Sequence, residues 1–425
     1  LWRDEGLLTP EQFEALQSRY ALKGIDEERT RTLVAVIYAI GAVLIGGGVI
    51  SFVAAHWETI PKTLKVVLIV STMLAAHGVG YWLWRVRGTR PLLGHALVAL
   101  GTLIFGANIG LVAQIYHISG DFYSGFAGWA AGAVSMAYGL MSVPNAAIAV
   151  VTSFIWFAGR VDDSALMASI YPVAVLALGL PIAYVKRSRI LFFLVLLAFA
   201  VSVFVAAAWA RFHELDLAWA CATVTVFLGS YGAYHKVVKP RPEVSSTALA
   251  FGGISLGLWS YILSFKAFSH SYSQPMWDSN SEDLLVFGMM AAVAAAGIVL
   301  MALSFAALRR GKTRHIYVFA LWAGAVVIAL AAGPVYYVGF AGAVLANIAF
   351  LMLATGCIWT GIASLGRGPF WTGVGLIGLL IVSRFLEYET GLVTKSFAFL
   401  LLGAAVIAGG VKFESILRAR GAVHE

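Results

Sequence analysis

The feature that most constrains this chain is a succession of apolar runs, each bounded by charge, Pro or Gly and long enough to cross a hydrocarbon layer. A bilayer-spanning helix needs ~20 mostly apolar residues, because without water the backbone must satisfy its own polar groups. With boundaries good to roughly three residues, the runs fall at 33–55, 63–84, 92–115, 122–141, 144–159, 166–185, 190–208, 217–234, 245–265, 284–308, 316–333, 338–364, 370–385 and 396–411, fourteen in all. Of the 425 residues, 12% are charged and 60% hydrophobic, whereas a soluble domain carries about a quarter charged residues. Lipid is therefore the expected solvent, and the expected fold is an all-α polytopic transmembrane bundle of about fourteen spans.

The segment before the first run, 1–32, is polar and acidic. Thr9 suits an N-cap, Pro10 the first helical position and Gln12 the capping-box position, with Leu8 placed to staple onto Phe13. A short amphipathic cytoplasmic helix is expected. Its Phe13, Leu16 and Tyr20 share one face, which packs on the chain's own membrane domain or on a protein partner. No apolar signal core precedes the first run, so that run is expected to act as its own insertion signal.

The basic residues fix the direction of threading. Cytoplasmic loops collect Lys and Arg, whereas carboxylates contribute little to orientation. With the N-terminus inside, the fourteen runs place 22 of the 29 Lys and Arg on the cytoplasmic side and seven outside, among them Lys62, Lys65, Arg160 and Arg384. The acidic residues divide almost evenly, ten inside and eleven outside. Both termini are therefore expected in the cytoplasm, the C-terminal tail being 412–425, and the membrane is expected to be a bacterial cytoplasmic (inner) membrane. The net charge of +8 is explained by this distribution, and no nucleic-acid motif accompanies it.

Part of the sequence recurs. Phe52-Val53-Ala54-Ala55-His56-Trp57 matches Phe204-Val205-Ala206-Ala207-Ala208-Trp209 at an offset of 152, and Gly80 matches Gly232 at the same offset. After a one-residue slip, Arg90-Pro91 matches Arg241-Pro242, Gly101 matches Gly252 and Gly106 matches Gly257. An even number of spans separates the copies, which makes the repeat parallel. The expected plan is a six-span unit at 33–189, a second at 190–366, and a terminal two-span hairpin at 367–411.

Polar side chains in or beside a membrane are costly and are candidate functional groups. The threading gathers Gln114, Tyr116, His117, Asp121, Arg384 and Glu387, with His56, Glu58, Glu389 and Lys395, at the outer boundary; the first six, with Asn108 inside the third span, are candidates for a substrate site or a structural polar cluster. Arg384 needs a carboxylate, and Glu387 or Asp121 could supply it. Asn108, His77, His95 and Asn347 fall within spans, where an interhelical hydrogen bond is the commoner role and a translocation path the rarer. His56, Glu58, His117 and Asp121 have atom types that suit Zn or Mn, but their spacings match no specific ligand motif. Cys221 and Cys357 sit inside apolar runs as packing residues. Gly46-Gly47-Gly48 lies in a span with no following Lys-Ser/Thr, so it is not a phosphate loop. The sequence implies no cofactor, and it shows no nucleophile elbow or HExxH pattern.

Several stretches resemble a known family. A basic-flanked helix ending at Arg29-Thr30-Arg31 precedes a Gly-rich span that closes on Ala55-His56-Trp57 and Ile60-Pro61. Gly106-Ala107-Asn108 through Gln114-Ile115-Tyr116-His117 follows, and Arg384-Phe385 through Lys395-Ser396 and Gly403 lies near the end. These features are similar to bacterial membrane proteins grouped as domain of unknown function 2157. His56 departs from the family pattern, which has Asn there. The resemblance implies a bacterial polytopic membrane protein and brings no catalytic residues.

Three functions remain open at this stage. The first is transporter or flippase-like handling of a small solute or lipid-linked molecule. The second is a non-transporting accessory or scaffold subunit that meets its partner through the N-terminal helix or a membrane face. The third is an outer-face membrane enzyme. Membrane lipids are the expected partners under all three.

Overall fold

The structure is a computed structural model that describes Thr9, Glu11 and residues 60–209, 214–265, 281–310, 316–332, 340–387 and 392–421. The chain divides into two compact units, Leu1–Ser71 and Thr72–Glu425. Beyond Thr9 and Glu11, the described part of the first unit is residues 60–71, mostly the start of one helix; the second unit holds the bundle.

Thirteen α-helices are formed by the described residues: α1 Lys62–Tyr81, α2 Pro91–Tyr116, α3 Phe122–Leu140, α4 Val143–Arg160, α5 Ala165–Lys186, α6 Arg189–Trp209, α7 Glu214–Val237, α8 Pro242–Leu263, α9 Ser281–Arg310, α10 Ile316–Ala332, α11 Phe340–Ser364, α12 Arg367–Glu387 and α13 Leu392–Gly421. A π-helical turn, Trp82–Val86, extends α1. Ten of these helical segments are long and apolar enough to cross a membrane; α3 and α7 are not among them, and α10 contributes the shorter apolar segment Ile316–Leu330. Each apolar run from the second to the fourteenth coincides with one helix. The first run, 33–55, lies outside the described residues, as do Phe13, Leu16, Tyr20, His56 and Glu58.

Surface composition follows from the lipid solvent. Large apolar side chains stand outward along the bundle, including Leu74 at 59% exposure, Ile298 at 53% and Leu400 at 71%. Lipid tails are as apolar as leucine, so these faces carry no burial penalty or gain, and the helices are held together by packing and hydrogen bonds.

Tight turns set the antiparallel order. His117, Met141, Arg187 and Leu365 adopt positive φ of 51°, 49°, 50° and 56° at the ends of α2, α3, α5 and α11. In each case the next N–H reaches back to a carbonyl of the last helical turn: Ile118 to Ala113, Ser142 to Ala137, Ser188 to Ala183 and Gly366 to Gly361. This left-handed cap satisfies orphan carbonyls and reverses the chain within a few residues.

Two apolar cores share α7. One joins Phe157, Tyr171, Phe192, Phe199, Val224 and Val286 from α4 to α9. The other joins Cys221, Leu256, Leu321 and Leu353 from α7, α8, α10 and α11. Cys221 and Cys357 are both free and buried. The terminal pair α12 and α13 is pinned by Phe370 stacked on Phe413 at 3.9 Å and by Arg367 donating through Nε and Nη2 to both oxygens of Glu414.

Two prolines lie inside α5, at 172 and 181. Pro181 has no N–H for the Ala177 carbonyl, which in hydrocarbon would be an expensive orphan. The Tyr138 hydroxyl of α3 supplies that hydrogen bond, lying 3.0 Å from the Ala177 oxygen and 2.9 Å from that of Leu178.

Close backbone approaches occur at several glycines. A Cβ on Gly80 would fall 2.8 Å from the Val98 nitrogen and 2.9 Å from the Gly94 oxygen. A Cβ on Gly232 would fall 3.0 Å from the Leu249 nitrogen and 3.1 Å from the Ser245 oxygen. The partner helices begin alike: Arg90 and Arg241 are their N-caps, both at φ −140°. Gly94 N–H and Ser245 N–H each donate at 3.0 Å to that Arg carbonyl. Gly101 then lies against His77 and Gly252 against Gly229. Farther along the correspondence ends, since Gly106 meets the Trp129 ring and Gly257 meets Leu353.

Gly80→Ala and Gly232→Ala should therefore each destabilise the bundle by about 1–3 kcal/mol, the usual cost of overpacking. Gly78 has open space where its Cβ would stand, so Gly78→Ala should be neutral or stabilising by ~0.5–1 kcal/mol through helix propensity. Thermal unfolding of the three variants in one detergent tests this ordering.

Candidate functional site

Between α1 and α3 lies a cleft of about 470 Å³, lined by Leu74, His77, Gly78 and Tyr81 on one wall and Ser135, Met136, Gly139 and Leu140 on the other. Both sets obey helical spacing, i, i+3, i+4, i+7 on α1 and i, i+1, i+4, i+5 on α3, so each is a single face. The space exists because two glycines face it. Among the described residues, nothing beyond the local backbone stands within 4 Å of where a Cβ would be on Gly78 or Gly139. Tyr81 and Ser135 are exposed, and Leu74 stands toward lipid. The opening is thus lateral.

His77 is the imidazole of this cleft, and it is held rigidly. Its Nδ1 lies 3.1 Å from the Met73 carbonyl, which can only accept, so Nδ1 carries a proton. Its Nε2 shares a hydrogen bond with the Thr102 hydroxyl of α2 at 3.3 Å. Its ring lies against Gly101. The Thr102 carbonyl in turn accepts from Trp129 Nε1 of α3 at 2.9 Å. One residue, Thr102, therefore ties α1, α2 and α3 together. Asn108 is buried one to two turns farther along α2 and donates through Nδ2 to the Met73 sulfur at 3.7 Å. It acts as a helix-to-helix contact and does not line the cleft.

The remaining sequence candidates separate into two knots on different helices. Asp121 caps α3: its Oδ2 accepts from Ser124 N–H at 2.8 Å and from the Ser124 hydroxyl at 3.1 Å. Arg160 at the end of α4 lies 3.6 Å from Asp121 and 2.7 Å from Asp163. Gln114, Tyr116 and His117 are exposed at the end of α2 just before this cap. The second knot joins α8, α11 and α12. Arg384 Nη1 donates to Glu387 and to the Ser264 carbonyl, Nη2 donates to the Ser264 hydroxyl at 2.8 Å, and the guanidinium lies 4.3 Å from the Phe265 ring centre. Asn347 donates to Ala343 in its own helix at 2.7 Å and reaches the Ser264 carbonyl at 3.5 Å. Arg384 thus pairs with Glu387, and the knot is a clamp that ties three helix ends. No group of three His, Cys, Asp or Glu side chains among the described residues is gathered to hold a metal.

Sequence reasoning missed a further polar group. The Tyr184 hydroxyl of α5 hydrogen-bonds the Tyr231 hydroxyl at 2.6 Å and the His235 Nε2, both on α7. Arg241 donates to the Tyr184 carbonyl at 3.1 Å and lies 5.1 Å from its ring centre. Tyr231 and His235 are four apart at the basic end of a run, a spacing that could have drawn attention to them.

Chemically, the cleft offers hydrocarbon walls, one imidazole edge, one phenol and one hydroxyl, and Ser135 already donates to its own helix at 2.9 Å. It holds no nucleophile paired with a base. The arrangement suits an apolar chain entering from the side of the bundle.

Fold and surface together define a multi-span α-helical integral membrane protein. Residues 1–146, about a third of the chain, match the model of a family described as predicted membrane protein, domain of unknown function 2157. The resemblance read from the sequence is thus shown over that segment. No curated protein matches the chain, and no solved structure does.

Acid sensitivity should appear at the Asp121 cap. Partial desolvation works to raise its carboxyl, but the Ser124 hydrogen bonds and then Arg160 outweigh this and hold it below the ordinary aspartate value. A depressed carboxylate contributes stability that is present above its unfolded value and is lost as pH falls through its folded one. Wild-type stability should therefore decline below the ordinary aspartate range, and Asp121→Asn should flatten that decline while keeping a cap. Asp121→Ala should be less stable than Asp121→Asn at neutral pH. Melting curves collected as a function of pH for the three proteins check both statements.

Proposed function

We propose that this protein is a transporter or flippase-like membrane protein that handles an amphipathic, lipid-linked molecule, and that the α1–α3 cleft admits that molecule's apolar part. The observation that carries this reading is the cleft's lateral opening onto lipid between Gly78 and Gly139. A small hydrophilic solute would call for polar walls, and neither Asn108 nor Asn347 lines this space. Outer-face enzyme chemistry finds no support in the two knots, whose members serve as caps and clamps.

The parallel repeat belongs to the same reading. It is supported by the like packing of Gly80 on α2 and Gly232 on α8, with Arg caps and N–H contacts in the same register. Two six-span units followed by a hairpin, fourteen spans in total, would place both ends of the chain in the cytoplasm of a bacterium. The units differ where it matters for function. The segment of α7 that corresponds to the cleft wall is closed, because Gly297 of α9 packs against Val226 and Phe227, where an added Cβ would be 2.9–3.0 Å away. The segment of α1 is open.

Reconstituted into liposomes carrying a fluorescent phospholipid, the wild-type chain should speed lipid movement between leaflets, read by reductant quenching. Gly78→Leu and Gly139→Leu fill the opening from positions where the Cβ has open space, so they should fold and yet bring the rate down to that of protein-free vesicles. Equal rates for wild-type and protein-free vesicles would sink the proposal and favour the scaffold reading.

A further inference from the structure

The cleft has a charged end. The face of α1 that lines it, Leu74, His77 or Gly78, then Tyr81, continues by helical spacing to Arg85 in the π turn. The Arg85 guanidinium crosses to the opposite wall, where Nη2 donates to the Leu140 carbonyl at 3.4 Å, and Leu140 is the last cleft residue of α3. Arg85 also lies 4.6 Å from the Trp84 ring centre, and Arg87 lies 4.5 Å from that of Trp82. Both arginines are exposed, as is Arg90 at the start of α2. None of the three is part of an ion pair among the described residues. Indole rings and guanidinium groups side by side are the chemistry of the headgroup layer, where aromatic rings anchor and cations meet lipid phosphate.

Resting on the lipid-handling reading above, we infer that this cleft is a binding site for an anionic phospholipid, with an acyl chain between Gly78 and Gly139 and the headgroup phosphate on Arg85. Three features converge on that ligand. The walls are hydrocarbon over about 470 Å³, within the roughly 300–1,000 Å³ typical of ligand clefts. Positive charge is confined to one end, which matches a molecule that is apolar along its length and anionic at its tip. That end is also the one the distribution of Lys and Arg assigns to the cytoplasm, so the lipid belongs to the cytoplasmic leaflet. Arg85 is already positioned across the mouth by its bond to Leu140, and phosphate oxygens offer it stronger, charge-assisted acceptors than a backbone carbonyl.

The test uses the purified full chain in detergent, titrated with dioleoyl phosphatidylglycerol or dioleoyl phosphatidylcholine, with bound lipid counted by native mass spectrometry. Phosphatidylglycerol should bind more tightly. Arg85→Ala should weaken it roughly fivefold, the equivalent of ~1 kcal/mol per basic residue at a membrane surface, while phosphatidylcholine binding stays constant. Arg85→Lys should recover most of the loss. Gly139→Leu should reduce binding of both lipids, and inorganic phosphate should not compete. Equal affinity for the two lipids, or phosphatidylglycerol binding untouched by Arg85→Ala, overturns the anionic site and leaves the lipid-handling reading standing. If neither lipid binds, or if Gly139→Leu changes neither, both fall. Competition by inorganic phosphate would reassign Arg85 to a free anion and overturn the proposal. Melting temperature and size-exclusion profile accompany each variant, and Arg85→Lys keeps the inference falsifiable if Arg85→Ala fails to fold.

Discussion

Everything in this bundle depends on how closely two helix backbones can approach in a solvent that gives them no reason to associate. Hydrocarbon surrounds both the separated and the paired helices, so apolar burial contributes little and close packing contributes most. At Gly80 and Gly232 the neighbouring backbone occupies the space a side chain would need, which brings α1 onto α2 and α7 onto α8. At that range the side chains that follow are forced into register. His77 lands on Gly101 and reaches Thr102, and Thr102 receives Trp129, so one close approach organises three helices.

The same solvent decides where polar groups go. An unsatisfied hydrogen-bonding group in a bilayer costs several kcal/mol, so many interior polar side chains are bound to a specific neighbour. Tyr138 serves the carbonyl that Pro181 leaves free. Arg384 serves the end of α8 together with its own Glu387. These bonds are structural even though each looks functional in a linear reading, because an arginine or a histidine in an apolar run stands out whatever its task. The cleft is different in kind. It is defined by atoms that are missing, and among the described residues Arg85 stands at one end of it.

This contrast explains what could be read in advance. The helices were legible because their signal is long and redundant: runs of ~20 apolar residues closed by charge, with each run from the second onward landing on one helix. Arg384 was legible as a clamp because a guanidinium at a span end requires an acceptor, and Glu387 lies one helical turn away. The partnership of Tyr184 with Tyr231 and His235 was not legible, since it joins positions 47 and 51 residues apart and depends on which faces of α5 and α7 meet. Gathering Asp121 and Arg384 toward one boundary was a statement about depth in the membrane. Depth does not say which helices are neighbours, and each residue found its partner nearby, at Arg160 and at Glu387.

Glycine carries the hardest lesson. The same residue type makes a tight contact at 80 and an open wall at 78, two positions apart on one helix. A step of two residues turns the helix by ~200°, so adjacent glycines in sequence face opposite ways. One faces α2 and closes a joint; the other faces α3 and opens a cleft. Abundance of glycine in a span therefore predicts close packing only on average, and the sign at each position is set by whether a backbone or lipid stands opposite. On α7, Val226 and Phe227 meet Gly297 of α9, and that face is shut. One helix face can in this way serve as a rigid joint while another stands open, and it needs no polar residue to mark the difference.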